Sequence, residues 1–202
     1  MGVTMEEIRV LREQTGVGIM DCKKALIEAN GDIDEAVTIL RKKGLATAAK
    51  KAGRAANEGV VSAYIHHNDK IGVLVEVNCE TDFVARTDEF RQLVKDLSMH
   101  IAAAAPRYVR IEEVPEKEIA AEKEIYASQV KAEGKPDHIV EKIVEGKIKK
   151  YYEQVVLLEQ PFVKDQDKKI GDVITDTVAK LGENIQISRF TRYQLGETQQ
   201  NG

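Results

Sequence analysis

Two neighbouring runs of apolar and β-branched residues, at positions 59–65 and 71–79, constrain the fold most strongly. Residues 66–70 connect them, and such a pair of runs is typical of an antiparallel β-hairpin. Successive side chains of a strand point to opposite faces, so alternate residues of the second run share one face. These residues are Val73, Val75, Val77 and Cys79. The sequence therefore predicts a hairpin with one buried face.

The order of the remaining elements indicates the fold class. Apolar residues at helical spacing, with glycine and proline breaks, predict helices at residues 88–104, 115–132, 137–158 and 171–181. Residues 185–195 then return as a third strand. Two strands, several helices and a last strand suit an α+β core, in which helices pack against a three-stranded antiparallel sheet.

The N-terminal part of the chain is predicted to be a separate module. Residues 1–43 contain three short amphipathic segments with stop signals between them. Three such helices resemble the ubiquitin-associated (UBA) fold. The basic, Ala-rich residues 44–57 are predicted to form a helical linker. Residues 58–197 are then the α+β core and dimerisation domain, and residues 198–202 a C-terminal tail.

Two features leave other functions open. The UBA-like module is compatible with a non-enzymatic adaptor that binds ubiquitin-like proteins. The stretch between positions 36 and 57 has no acidic residue, and its basic residues would suit an RNA-associated protein, because they neutralise phosphates. These are Arg41, Lys42, Lys43, Lys50, Lys51 and Arg54. The formal net charge of −4 argues against direct nucleic-acid binding by the chain as a whole.

The composition predicts a cytoplasmic globular protein. The 202 residues are 43% hydrophobic and 32% charged, which is enough to build a core. No apolar run reaches membrane-spanning length, and acidic residues near the N-terminus argue against a signal or transit peptide. The two cysteines, Cys22 and Cys79, lie far apart and are expected to be reduced and at least partly buried. No membrane partner is expected.

Familiar catalytic motifs are absent from the sequence. It contains no phosphate-binding GxxxxGK or GxGxxG loop, no GxSxG and no HExxH. The histidines and cysteines lack the spacing of a metal site. The glutamates between positions 112 and 124 are interspersed with Lys117 and Lys123, as on a solvated helix face. We predict that the protein is not an enzyme and requires neither a cofactor nor a metal.

The turn after the second strand combines an aromatic ring with a carboxylate. Residues 76–86 read Glu-Val-Asn-Cys-Glu-Thr-Asp-Phe-Val-Ala-Arg. A turn between a strand and a helix is a rigid mount for the side chains that project from it. Phe83 either fills the core, with Thr81 or Asp82 capping the local backbone, or projects towards a partner. The residues alone favour burial, since most aromatic side chains of small domains lie in the core.

Residues 76–86 are similar to a signature of the elongation factor Ts family, the nucleotide-exchange factors of elongation factor Tu. Residues 11–26, Leu-Arg-Glu-Gln-Thr-Gly-Val-Gly-Ile-Met-Asp-Cys-Lys-Lys-Ala-Leu, resemble the N-terminal signature of the same family. Weaker similarity at residues 134–165 and 182–196 extends the resemblance to a short bacterial form over most of the chain. It implies a guanine-nucleotide exchange factor for elongation factor Tu in protein synthesis, and it favours a projecting Phe83.

The resemblance also implies individual contacts. In the family, the aspartate and phenylalanine of the turn intrude near the partner's magnesium ion and nucleotide phosphates. Asp82 and Phe83 would do so here, supported by Thr81, Val84 and Arg86. The N-terminal loop and second helix dock on the partner's nucleotide-binding domain, which implies four further contact residues. They are Arg12, Ile19, Met20 and Lys23.

Three core contacts and a homodimer complete the expectations. Leu181 and Gly182 resemble a partner-contacting segment, and His67 falls where longer members place a partner-contacting histidine, although the adjacent His66 leaves the register open. Longer members carry two related core subdomains and this chain has room for one, so two copies would supply both. Leu74 and Tyr64 are expected to add apolar surface to the open sheet face.

Overall fold

The computed structural model describes residues 3–197, apart from the side chain of Asp137. Within this range the chain forms eight α-helices and five β-strands, which confirms the predicted α+β class. The expected tail at residues 198–202 lies outside the described residues. The chain divides into two compact units. Unit 1 contains Met1–Val60, Val77–Val94 and Asp172–Gln186, and unit 2 contains Val61–Glu76, Lys95–Gly171 and Ile187–Gly202.

Three helices open unit 1, namely α1 (Met5–Thr15), α2 (Ile19–Glu28) and α3 (Ile33–Lys51). The Thr4 hydroxyl accepts the Glu7 amide N–H, and the Glu7 carboxylate accepts the Thr4 amide N–H at 2.7 Å. This reciprocal cap satisfies amides that have no partner within the helix. The helices enclose a core of Ile8, Leu11, Cys22, Ala25, Leu26, Ala36 and Leu40.

Helix α3 extends well beyond this core. The Asp32 carboxylate accepts the Glu35 amide N–H at 2.8 Å in the first turn, and the helix then continues through the Ala-rich segment to Lys51. The linker predicted to be helical over residues 44–57 is therefore helical only as far as Lys51, because residues 52–57 form turns and irregular structure. Position 43, where the module was expected to end, lies inside this one helix.

Strands β1 (Glu58–Ile65), β2 (Ile71–Cys79) and β5 (Gln186–Gln194) form a three-stranded sheet in the order β1-β2-β5. The His66 amide N–H donates to the Ile71 carbonyl oxygen at 2.9 Å and closes the predicted hairpin. Gly59, at φ 143°, marks a close approach of the two strands, since a Cβ there would lie 2.2 Å from a backbone oxygen of β2. Only glycine fits at this position.

Burial along the strands alternates. Every second residue of β2, from Val73 to Cys79, is buried, as predicted, whereas Leu74 is 49% exposed. On β1 the exposed positions include Val61 and Ile65, so Tyr64 points to the opposite face and is half-buried. The prediction that Tyr64 joins Leu74 on the open face is therefore wrong, because neighbouring residues of a strand alternate between faces.

The remaining helices are close to their predicted positions. Helices α4 (Asp82–Ala85) and α5 (Asp88–Ala104) follow β2, and α8 (Ile170–Leu181) precedes β5. In unit 2, α6 (Glu116–Ala132) and α7 (Asp137–Val155) pack through Val130, Val140, Val144 and Ile148. Among the helices of residues 3–197, none combines the length and apolar character needed to cross a bilayer.

The segment after α7 differs from the prediction. The helix ends at Val155, and a short 3-10 turn at Leu157–Glu159 follows. A two-stranded hairpin, β3 (Pro161–Phe162) and β4 (Asp165–Lys169), then occupies the stretch where only a break was expected. Strand β4 consists entirely of polar residues, so no alternation of apolar residues marks it in the sequence.

Candidate protein-binding site

The turn between β2 and α5 presents an exposed aromatic ring. Thr81 is the N-cap of α4, and its hydroxyl accepts the Val84 amide N–H at 3.3 Å. Ala85 is 5% exposed and anchors the inner side of this one-turn helix, while Phe83 on the outer side is 78% exposed. The interpretation of Phe83 as a core residue is therefore wrong. A phenylalanine displayed on a capped turn is a typical binding-surface feature.

A carboxylate accompanies the ring. The Asp82 carboxylate lies 2.8 Å from the Arg86 guanidinium, one helical turn away, and the two side chains are 45% and 72% exposed. Val84 between them is half-buried. The turn thus displays an apolar ring and an ion pair side by side.

The backbone that leads into the turn is fixed by Glu183, which directly follows the Gly182 that ends α8. Glu183 Oε2 accepts the amide N–H groups of Glu80 at 3.1 Å and of Thr81 at 3.0 Å. Its Oε1 accepts the Thr81 hydroxyl at 2.7 Å. One carboxylate therefore satisfies three donors at the point where β2 has ended.

A second set of contacts joins the residues on either side of Glu183 to Glu80 and to the residues at the end of α3. The Asn184 amide N–H donates to Glu80 Oε1 at 2.7 Å, which lowers the pKa of that carboxyl. Asn184 is 3% exposed, and its side-chain amide donates to the Arg54 carbonyl oxygen at 2.7 Å. Lys51 donates to the Gly182 carbonyl oxygen. The connection between α8 and β5, residues 182–185, is thus bound both to the turn and to the end of α3.

Cys79 lies beneath the turn as a buried free thiol. Its Sγ donates to the Thr81 carbonyl oxygen at 3.1 Å. Burial raises the pKa of the thiol, and the negative charge of Glu183 raises it further. Cys79 is therefore a weakly reactive structural thiol.

The N-terminal contact residues implied by the resemblance all lie in unit 1 with accessible side chains. Ile19 and Met20 are 47% and 63% exposed in the first turn of α2, and Arg12 and Lys23 are also exposed. Met5 and Ile27 are further exposed apolar residues of this module that the sequence did not single out. The helical spacing of Met5 and Ile27 did not predict their exposure, because an amphipathic pattern does not define the edge of the buried stripe.

The core contact residues fall into different units. Leu181 and Gly182 end α8 in unit 1, where Gly182 adopts φ 75°, and Glu183 links this segment to Thr81. His67 belongs to the hairpin turn of unit 2 and is exposed, with its ring 4.2 Å from that of His66. The structure therefore brings Leu181 and Gly182 together with the turn at residues 81–86.

Most of the basic run between positions 41 and 54 is engaged within unit 1. Lys43 lies 2.5 Å from Glu28, Arg41 lies 3.8 Å from Asp172, and Arg54 lies 3.4 Å from Glu80. With Lys51 bound to the Gly182 carbonyl oxygen, four of the six basic side chains have a partner within the protein. These contacts weaken the case for a phosphate-binding stripe.

The prediction that the glutamates between positions 112 and 124 all face solvent is wrong for Glu118. The Glu118 carboxylate, 22% exposed, accepts hydrogen bonds from Arg107 at 2.9 and 3.0 Å and from the hydroxyl groups of Tyr108 and Tyr151. Burial raises the pKa of Tyr151, and the hydrogen bond to Glu118 raises it further. Glu118 therefore ties α6 to α7. Within residues 3–197, no group of three or more His, Cys, Asp or Glu side chains is placed to hold a metal ion.

The three N-terminal helices, the three-stranded sheet, the further helices and the exposed turn together define a helix-rich α+β protein. The sequence matches the family model described as Elongation factor TS over residues 4–197. Elongation factor Ts of Thermotoga neapolitana is 59% identical over 197 residues, which cover 98% of this chain and 99% of the relative. The corresponding protein of Carboxydothermus hydrogenoformans is 58% identical over 195 residues, or 96% of this chain and 90% of the relative. The chain belongs to the elongation factor Ts family.

Proposed function

We propose that the protein is a guanine-nucleotide exchange factor for elongation factor Tu and promotes GDP release during translation elongation. The observation that carries the proposal is the exposure of Phe83, 78%, beside Asp82 on a turn whose backbone is held in place. The family and the names of its members support the same partner.

The exchange requires no covalent chemistry, in keeping with a protein that is not an enzyme. A GTPase that holds GDP with nanomolar affinity has a binding free energy of roughly −12 kcal/mol, so spontaneous release is slow. A protein that binds best to the nucleotide-free form of the GTPase lowers the affinity of the GTPase for the nucleotide. The nucleotide lowers the affinity of the GTPase for that protein by the same factor. The exchange factor therefore acts through differential binding alone and needs no cofactor of its own.

The turn at residues 81–86 supplies the differential contact. Phe83 is an apolar wedge that enters between side chains of the partner, and Asp82 disturbs the polar contacts that support the partner's magnesium ion. Loss of the ion leaves the phosphate charges uncompensated and loosens GDP. Thr81, Val84 and Arg86 hold the turn during this intrusion.

Two other surfaces anchor the complex. Arg12, Ile19, Met20 and Lys23 of the N-terminal module dock on the nucleotide-binding domain of the partner, with an exposed methionine as an adaptable contact. Leu181, Gly182 and His67 add contacts from the core. The N-terminal helices, the linker at residues 44–57 and the core are then three parts of one binding protein that works in the cytoplasm without nucleic acid.

The active form is a homodimer joined through the sheets. Within unit 2, Val61, Ile65, Leu74 and Tyr193 are between 49% and 68% exposed on the strands of the sheet. Burial of apolar side chains of this size beneath a second copy of the chain is favourable and would stabilise the dimer. A dimeric mass in light scattering at micromolar concentration supports this part of the proposal, and a monomeric mass contradicts it.

Release of a fluorescent GDP analogue from purified elongation factor Tu tests the proposed function. The analogue is chased with excess GDP in the presence of a substoichiometric amount of this protein. Acceleration of release over several turnovers is the expected result. A folded protein that binds elongation factor Tu without accelerating release contradicts the proposal, and binding to a ubiquitin-like protein or to RNA at high salt instead supports one of the alternatives.

A further inference from the structure

The helix that displays Phe83 is too short to orient itself. Helix α4 has four residues, and one turn of helix is unstable in isolation because nucleation costs more than a single hydrogen bond returns. Its direction must therefore be set by the residues at its ends. At the N-terminal end, the amide groups of Glu80 and Thr81 both donate to the Glu183 carboxylate.

The geometry of these bonds fixes both the position and the rotation of the turn. One oxygen of Glu183 binds two backbone amides, and the other binds the Thr81 hydroxyl at 2.7 Å. Hydrogen bonds to a carboxylate are roughly twice as strong as bonds between neutral groups. The same hydroxyl accepts the Val84 amide N–H and so begins α4, which connects Glu183 directly to the helix that carries Phe83.

We infer that Glu183 is a positioning residue for nucleotide exchange, which acts through Thr81 to aim Phe83 and Asp82 at the partner. This inference rests on the proposed exchange function. Glu183 is itself held in place by its neighbours, since Lys51 binds the Gly182 carbonyl oxygen and Asn184 binds both Glu80 and the Arg54 carbonyl oxygen. The orientation of the turn therefore depends on contacts from the end of α3 as well as from the end of α8.

Substitution of Glu183 distinguishes an effect on the orientation of the turn at residues 81–86 from an effect on the binding of the partner. Glu183→Ala removes all three acceptor contacts, and we expect the maximal exchange rate to fall roughly tenfold to a hundredfold, as misplacement of a functional group does. The concentration of the protein that gives half-maximal rate should stay the same, because the docking surfaces are intact. Glu183→Gln keeps the shape and one acceptor oxygen, so it should restore part of the rate.

A double-mutant cycle tests whether Glu183 acts through Thr81. If it does, the effects of Glu183→Ala and Thr81→Ala on the maximal rate are not additive, because each removes the same contact. Glu89→Gln is the matched control. It removes a carboxylate of the same unit that pairs with Lys180 at 3.5 Å, and it should leave the exchange rate unchanged.

Cys79 provides a readout that does not depend on elongation factor Tu. Because Cys79 is fully buried and donates to the Thr81 carbonyl oxygen at 3.1 Å, its alkylation requires the turn to open. Glu183→Ala removes the contacts that hold this turn and should therefore speed alkylation at a fixed neutral pH. A Cys22→Ala background leaves Cys79 as the only thiol of the chain. Glu89→Gln should not change the alkylation rate.

The outcomes separate the inference from the function on which it rests. No stimulation by the wild-type protein overturns the proposed function, and the inference with it. An active wild type together with a wild-type maximal rate in Glu183→Ala overturns the inference alone. So does a loss of rate in both Glu183 variants that merely follows a loss of folded protein, measured by thermal unfolding. A reduced maximal rate in folded protein, with coupling to Thr81, supports it.

Discussion

Asp82 and Arg86 form an ion pair of 2.8 Å across the single turn of α4, in which the Asp82 side chain is 45% and the Arg86 side chain 72% exposed. A surface pair of this kind contributes about 0.2–1 kcal/mol to stability, because water and salt screen it. Its significance lies in orientation. The guanidinium restrains the Asp82 carboxylate on the same turn that carries Phe83, and we expect this restraint to help present the two groups to the partner together.

Removal of this cation should affect exchange more than stability. We expect Arg86→Ala to change the free energy of unfolding by less than about 1 kcal/mol and to reduce the maximal exchange rate. Urea unfolding and GDP release, measured on the same preparation, check both parts. Arg9→Ala breaks a comparably exposed pair with Glu6 in α1 and serves as the control, with no change in exchange. An unchanged rate in Arg86→Ala would mean that the pair does not orient Asp82.

Removal of the Asp82 carboxylate should lower the rate of GDP release. Asp82→Ala is expected to slow GDP release while the complex with elongation factor Tu is still detected by calorimetry, because Phe83 and the N-terminal module are intact. The proposed role of Asp82 is confined to the magnesium site of the partner. Wild-type exchange in this variant would remove Asp82 from the mechanism.

His100 should make the stability of the protein depend on pH. Its ring is fully buried, with Nε2 3.0 Å from Gln160 Oε1, and Nδ1 accepts the Val163 amide N–H at 3.3 Å. Burial lowers the pKa of His100 from 6.5 and outweighs the opposing effect of Gln160. The unfolded chain therefore binds a proton at higher pH than the folded protein does, and this contribution to stability is complete above pH 6.5 and is lost as the pH falls below it.

Urea midpoints measured between about pH 5 and 8 check this expectation. His100→Gln should lower the midpoint at every pH but remove most of the slope below pH 6.5. An unchanged slope in His100→Gln would assign the proton uptake to another group.

The open face of the sheet leads to a prediction about assembly. Leu74→Glu places a charge in the proposed interface, and we expect a monomeric mass in light scattering at concentrations where the wild type is a dimer. Ile125→Glu on α6 is the matched control, because Ile125 is 48% exposed and Leu74 is 49% exposed. A dimer that survives Leu74→Glu and dissociates in Ile125→Glu would move the interface to α6.

Local patterns explain how much of the fold was predictable. The helices at residues 88–104 and 116–132 and the buried side of β2 follow from the spacing of apolar residues, which is a property of neighbouring positions. The polar strand β4 was missed because none of its residues carries an apolar signal. Tyr64 lies on the opposite face from Val61 and Ile65, because neighbouring residues of a strand alternate between faces, and an aromatic side chain alone does not indicate which face is open.

The site was predictable as a motif but not as a geometry. Residues 81–86 were found through their resemblance to a family signature, whereas the residues alone favoured a buried Phe83. The contact between Thr81 and Glu183 joins positions 102 residues apart, and no local pattern in the sequence reports such a pair. The support of the turn is therefore visible only in three dimensions.

The rate of GDP release with Phe83→Ala tests the central claim most directly. Because Phe83 is 78% exposed, its truncation should leave the melting temperature nearly unchanged while the maximal exchange rate falls. Phe90→Ala is the control, since that ring is fully buried and its loss should cost about 3–5 kcal/mol of stability. A stable Phe83→Ala protein that exchanges nucleotide slowly is the predicted result. A stable Phe83→Ala protein that exchanges nucleotide at the wild-type rate would contradict the account.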